Sequence, residues 1–531
     1  MNTTAQFISY SKTGAFSKTV TDYISGNTAL LPFYKHPVSV QGIKNAIGER
    51  TAYNTNRELL VSELKKQYSS IHTSPKVLDN IEKLLAKNTF TITTAHQPNI
   101  FTGHLYFVYK ILHAIKLAEY LQNEIPGNNF VPVYYMGSED ADLEELGHVY
   151  INGQKYEWQT NQTGAVGRMK ADQQLIKMLD EISGQILVEP FGNEIISLMK
   201  TCYKAGTTIE QATLALVNEL FKEYGLVVLL PDNPALKAAF SSIIEKELVE
   251  KFSHDAVEQT VSKFPQEYKV QAGGREVNLF WLGDGTRERI VEENSTFKVQ
   301  NSAMEFDKGD IKTILQQQPE CFSPNVILRP VFQEMILPNI AFIGGGGELA
   351  YWLELKKVFE AVEVPYPVLV LRNSFAVVEE KYKALTAKLG LAVTDLFKDE
   401  NVLLNELVKR ESALQLGLEK EINEMQVLYA KLKKISGAVD KSLEGHTEAL
   451  QTKALHKLEG LQKKMLRAEK RKFEAQQRQL HKVKSALFPG NGLQERTENI
   501  IPFYAKWGKD FIAALYQHSL ALQQEFCIVE L

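Results

Sequence analysis

Read as a string of apolar and polar positions, the chain changes period several times. "NRELLVSELKKQY" (residues 56–68) and "SPKVLDNIEKLLAKN" (74–88) place apolar side chains three and four apart, which predicts amphipathic helices. In the second, Ser74 is a natural cap and Pro75 suits the first helical position. Residues 1–88 therefore read as an N-terminal helical segment that packs on the core. "TFTITT" (89–94) breaks that period with a β-branched run, a buried strand, and a helix comes next at about 104–122. "FVPVYYMG" (130–137), "GLVVLLPD" (225–232), the stretch opening "IAFIGGGGELAYW" (340–352) and "YPVLVLRNSF" (366–375) continue the alternation of strands with helices. That alternation predicts an α/β fold with a doubly wound parallel sheet over residues 89–375. Two stretches, about 143–200 and about 265–325, carry short polar or β-like pieces and read as insertions covering the sheet's ligand edge.

From residue 376 to 490 charged and helix-forming residues dominate. Two long helices are expected to meet near "KISGAVDKSLEGHT" (434–447). The second carries Leu455, Leu458, Leu461, Met465, Leu480, Val483 and Leu487, an imperfect heptad seam interrupted by Lys and Gln after Met465. This predicts a C-terminal α-helical coiled-coil arm, an antiparallel hairpin that also joins two copies of the chain. "FPGNGLQERTENIIPF" (488–503) ends the arm, and residues 491–531 return to the body.

Composition narrows the class. With 44% hydrophobic and 23% charged residues, the 531-residue chain is an ordinary multidomain globular protein. A net charge of −4 gives no global attraction to nucleic acid. Cys202, Cys321 and Cys527 are scattered and odd in number, as expected for reduced thiols in the cytoplasm. The N-terminus lacks a signal-peptide pattern, and no apolar run is long enough to span a membrane.

Candidate chemistry collects where strands end. In a doubly wound sheet, ligands bind outside the carboxyl ends of the strands. "AHQPNIFTGH" (95–104) lies after the first strand and opens a helix, whose unpaired amides suit a phosphate. His96, Gln97, Thr102, Gly103 and Tyr106 are the candidate nucleotide-binding residues there, with His104 as a catalytic donor to phosphate. "GSEDADLEE" places Glu139, Asp140 and Asp142 after another strand. Such carboxylates hold Mg2+, bind an amino group or act as a base, and they also suit a helix start electrostatically. In "IGGGGELAYW", Gly345 and Gly346 allow close approach of a ligand, Glu348 stands at the helix start, and Tyr351 and Trp352 are candidate pocket walls. The run matches neither the P-loop nor the G-x-G-x-x-G fingerprint. Arg329, Gln333 and Arg372 flank it, and an arginine there can clamp a carboxylate or phosphate.

"TTAHQPNIFTGHLYFVYKILHAIKLA" together with "FVPVYYMGSEDADLEELGHV" resembles the BshC family, the cysteine-adding enzymes of bacillithiol biosynthesis. "VILRPVFQEMILPNIAFIGGGGELAYWLELKKVFE", "LRAEKRKFEAQQRQL" and "LFPGNGLQERTENIIPF" agree, in the family's order. The resemblance implies a Rossmann-like core, two connecting segments and a coiled-coil dimer arm. It also implies a ligase that joins the carboxyl group of cysteine to the amine of glucosaminyl-malate, with ATP (leaving AMP or ADP) as the expected energy source. The family's core is similar to nucleotidylyltransferases and class I aminoacyl-tRNA synthetases, which carry H-x-G-H at this turn. Here the tetrad is Phe101-Thr102-Gly103-His104, with only the second histidine present. On this reading Gly103 and His104 hold phosphate, an acidic residue of 139–142 receives the cysteine ammonium or deprotonates the amine, and Arg329 or Arg372 binds a carboxylate. The competing class is a non-catalytic, nucleotide-binding dimeric scaffold.

Overall fold

The computed structural model describes residues 3–531. The chain divides into two compact units, residues 1–377 with 492–529, and residues 378–491 with 530–531.

The larger unit is organised by five parallel strands: β1 (Thr89–His96), β2 (Asn129–Met136), β3 (Val227–Leu229), β4 (Asn339–Gly344) and β5 (Val368–Leu371). Their spatial order is β5-β4-β1-β2-β3. The chain first builds outward from β1 to β3, then crosses back and builds the other way, so the switch point lies between β1 and β4. Helix α1 (Leu105–Glu124) packs on β1 and β2 and is buried nearly all round, from Leu105 to Leu121. Phe90, Ile92, Ala114, Leu117, Ile340, Ile343, Val368 and Val370 form one apolar core with it.

Threonine-rich β1 tolerates full burial because its hydroxyls are satisfied. Thr91 and Thr93 donate to Asn339 Oδ1, and Thr94 donates to the Ile343 carbonyl. Asn339 in turn donates to Glu334, whose carboxyl burial pushes up to about 7 and which Arg50 holds at 2.9 Å. Arg50 also donates to the carbonyls of Glu334, Asn339 and Pro365, tying the N-terminal helical segment under the sheet.

The first insertion forms a hairpin (His148–Ile151 with Gln154–Glu157) and helices. The second is an antiparallel meander from Leu279–Gly283 to Glu305–Asp307. The two meet: Thr163 donates to the Gly285 carbonyl at 2.8 Å, and a Cβ on Gly164 would stand 2.6 Å from the Gly285 backbone.

Between β1 and α1 the chain makes a left-handed turn with three successive positive φ angles, at Phe101 (50°), Thr102 (72°) and Gly103 (61°). Two of these are non-glycine and one is β-branched, an unfavourable arrangement that needs outside support. Asn499, from the returning C-terminal segment, donates to both the Phe101 and Gly103 carbonyls, and Tyr203 OH accepts from Phe101 N.

In the smaller unit, helices α3 (Glu419–Val439) and α4 (Leu443–Lys470) form an antiparallel hairpin, with Ser436 opposite Thr447 and Gln462 opposite Glu419. The expected seam on one continuous helix is corrected. A short 3-10 turn at Arg471–Phe473 separates α4 from α5 (Glu474–Leu487). Leu480, Val483 and Leu487 are fully buried against the helices Glu380–Lys388 and Glu400–Glu411, while Leu461 is 48% exposed. The polar gap after Met465 is where the chain changes partners, with Phe473 buried at the break. The exposed apolar stripe lies instead on α3: Leu428, Leu432, Ile435 and Val439, at four-three-four spacing.

Asn499→Ala removes both clamps on the left-handed turn. We expect a loss of about 1–3 kcal/mol in unfolding free energy of the larger unit, read by urea titration. A variant as stable as the parent shows that the turn holds itself.

Candidate active site

The sheet's switch point opens into a cavity of about 520 Å³. Ala95, His96 and Gln97 reach it from the end of β1, Gly345 to Glu348 from the end of β4, and Tyr106 from the first turn of α1. Asp140, Glu145, Arg329, Tyr351, Arg372 and Arg496 also line it. Gln271 and the stretch Pro324 to Val326 complete it from the second insertion and its end.

One buried lysine stitches the two strand ends together. Lys110, 1% exposed, donates to the Ala95 carbonyl at the end of β1 and to Glu348 Oε2 at 2.6 Å. The same oxygen accepts from Gly345 N at 2.8 Å, which closes the turn into helix α2 (Gly346–Trp352). Gly346 is a glycine for packing: a Cβ there would lie 2.9 Å from Val20.

The two candidate arginines differ in how they are engaged. Arg372 Nη2 donates to Glu495 at 2.7 Å, and Nη1 donates to Asn373 O and Ser374 Oγ. Its guanidinium also lies over the Tyr106 ring. Arg329 Nη2 donates to Tyr351 OH at 2.7 Å, while its Nη1 is buried with no partner. Burial pushes the Tyr351 hydroxyl up to about 12, so it stays protonated and its own proton remains available to donate. The acids are held differently again. Asp140 faces Arg287 Nη1 at 3.5 Å, and Glu145, missed in the sequence reading, is pushed above the usual carboxylate range by burial and by Asp142 and Asp140.

His96, Gln97, Tyr106, Asp140, Arg329, Gly345, Gly346, Glu348, Tyr351 and Arg372 thus come together in one cavity. Seven predicted site residues stand outside its wall. Thr102 and Gly103 belong to the clamped turn, where Asn499 holds the Gly103 carbonyl. His104 caps α1 with its ring against the Thr497 carbonyl at 3.2 Å, and the first helical amide, Leu105 N, donates to the Glu498 carbonyl. The expected phosphate cradle is therefore filled by the chain itself at these atoms. Glu139 turns away from the cavity to Lys237 at 2.7 Å, and Lys237 also meets Asp232. Asp142 accepts from Glu145 N as a helix cap. Gln333 is fully buried and donates to Glu334 in the network beneath the sheet. Trp352 is fully buried between the rings of Phe342 and Phe359, at 4.5 and 5.5 Å.

Sequence reasoning also missed Lys110, Glu495 and Arg496. A basic residue in the middle of an apolar helix was a usable signal for Lys110; Glu495 and Arg496 lie in a segment read only as a return.

Among the described residues, no cluster of three His, Cys, Asp or Glu side chains is placed to hold a metal ion, and no helix is long and apolar enough to cross a membrane. The three cysteines are unpaired.

Comparison with known proteins covers the chain end to end. Residues 3–373 match the family model "Bacillithiol biosynthesis BshC, N-terminal Rossmann-like domain", and residues 375–531 match "Bacillithiol biosynthesis BshC, C-terminal coiled-coil domain". A Flavobacterium johnsoniae protein named "Putative cysteine ligase BshC" is 39% identical, over 98% of this chain and 99% of its own. Proteins of the same name from Flavobacterium psychrophilum and Christiangramia forsetii are each 36% identical, over 98% of this chain and over 99% and 98% of their own. With residues 3–373 and 375–531 both matched and a relative 39% identical over nearly the whole chain, the chain belongs to the BshC family.

Proposed function

We propose that the protein is a ligase that joins the carboxyl group of cysteine to the amine of glucosaminyl-malate, the last step of bacillithiol biosynthesis, in the cytoplasm. The observation that carries this reading is the unpartnered Arg329 Nη1, buried in the wall of a cavity that also presents Asp140 and Glu145. A buried guanidinium donor without a partner is unfavourable by itself and calls for an anionic ligand. Of the two candidate arginines, Arg329 is the carboxylate clamp, because Arg372 is already neutralised by Glu495. The acids suit the ammonium of cysteine, and the names of the relatives supply the amino acid.

Amide formation from a free carboxylate needs activation, and ATP is the source we assign. Gln97, Gly345 and the open Gly347 leave room for phosphates beside the switch point. Mg2+, which usually binds through one or two carboxylates plus phosphate oxygens, fits Asp140 and Glu145 only in company with the nucleotide. The chain's own contribution is to orient the two substrates with charges of both signs and to exclude water under the two insertions. A second reading, a nucleotide-binding scaffold without catalysis, is favoured by the filled helix start at Leu105 and by Phe101 in place of the first histidine.

The arm, on this proposal, pairs two copies through the exposed stripe on α3. Four apolar side chains at heptad spacing, from 40% to 79% exposed, form half of a coiled-coil seam.

Purified protein mixed with cysteine, glucosaminyl-malate and ATP is expected to yield a new thiol of the ligated mass by mass spectrometry; nucleotide binding with no such product favours the scaffold. Arg329→Met is expected to raise the KM of one carboxylate substrate about 10- to 100-fold, the weight of a charged hydrogen bond, with the melting temperature held. Leu432→Glu with Ile435→Glu is expected to sediment as a monomer, and a dimer that persists places the interface elsewhere.

A further inference from the structure

The cavity contains a group that the ligand assignments above leave idle. His96 is the one imidazole among the described residues lining it. Its Nε2 is buried and has no hydrogen-bond partner. Its backbone is held where the His96 carbonyl accepts from Gly137 N at 2.8 Å and Tyr134 OH at 3.1 Å, and its ring packs against Tyr106 and Phe107, with centroids 5.4 and 5.3 Å away. The other nearby histidines are engaged. His113 meets Ala521 O and Asn373 N through its two nitrogens, and His104 meets Thr497 O.

We infer that His96 is a catalytic residue, the group that takes the proton from the attacking amine. This rests on the ligase reading. In that step the neutral amine nitrogen attacks the carbonyl carbon of a cysteinyl group activated by a nucleoside triphosphate. The N–C bond forms, and the C–O bond to the phosphate breaks with its electron pair going to the phosphate oxygen. One amine proton passes to the imidazole and then to solvent.

The surrounding charges suit the role. Burial first, then Lys110, His104, Arg372 and Arg329, push the imidazole well below its usual value, so it is neutral and ready to accept at neutral pH. Tyr106, the remaining polar neighbour, is pushed up to about 12 by burial and stays uncharged. An anionic substrate beside Arg329 offsets part of that positive field, so the imidazole becomes a stronger base as the site fills. The carboxylates are otherwise occupied: Glu348 Oε2 is held by two donors, Asp140 faces Arg287, and Glu145 is assigned above to the cysteine ammonium.

The test compares wild type, His96→Asn and His96→Gly for ligation, for cysteine binding by calorimetry and for melting temperature. Both variants are expected to bind cysteine within about threefold of wild type while turnover falls by ~10²- to 10⁴-fold, the usual weight of a general base. Added imidazole is expected to restore His96→Gly in proportion to its neutral form. Wild-type turnover is expected to fall with acid through a group titrating on the acid side of 6.5. Variants that turn over within about threefold of wild type overturn the proposal. So does parallel loss of cysteine binding and turnover without imidazole rescue, which makes the ring a binding element. If neither variant folds, the wild-type profile decides, and turnover that shows no fall on the acid side of 6.5 down to the acid limit of folding overturns it. A wild-type chain that makes no product overturns the ligase reading, and the role of His96 with it.

Discussion

The ammonium of Lys110 lies where the two halves of the sheet diverge. Strand order β5-β4-β1-β2-β3 sends the loops after β1 and β4 to opposite sides, which opens a crevice and leaves nothing in the sheet itself to fix its width. Lys110 bridges that gap, with one strand end on one hydrogen bond and the glycine turn, through Glu348, on another. Burial disfavours the charge, and Glu348 is the group that restores it. A buried lysine is tolerated only where its donors are answered, so the pairing fixes the turn and the turn fixes the cavity.

Around that stitch the site is built from charges of differing freedom. Arg372 is neutralised by Glu495 and serves the architecture. Arg329 is answered on one side only, its Nη1 buried without a partner. His96 is buried, with cations around it, and is therefore neutral. The division of labour comes from which partner each group finds inside the protein, and residue type alone does not decide it.

The fold was legible because its signals are local. β-Branched runs and three- and four-residue spacing marked all five strands and α1 to within a few residues, and the turns that line the cavity were legible because they lie beyond strand ends. Orientation was not legible. Glu139 and Asp140 are adjacent, yet one points to Lys237 and the other to the cavity. Trp352, expected as a pocket wall, and Gln333, expected to flank the site, face the core, because the helices carrying them must bury one side. Lys110 with Glu348, and Arg372 with Glu495, lie 238 and 123 residues apart, a separation that no window along the sequence spans. The arm seam was read as one continuous face for a related reason: a helix face can be read from spacing, but which helix covers it cannot.

The clamp on the left-handed turn has a consequence in time. Asn499 reaches back 396 residues to Gly103, and the entire arm lies between them. At typical synthesis rates of 5–20 residues per second, about 20–80 s separate the emergence of the two partners from the ribosome. During that interval the sheet can pair and α1 can pack, but the strained turn has only Tyr203 to hold it and Arg372 lacks its counter-charge. A nascent chain therefore carries an unfinished pocket until translation is nearly complete, and a ribosome that stalls within the arm leaves a folded sheet without a working site.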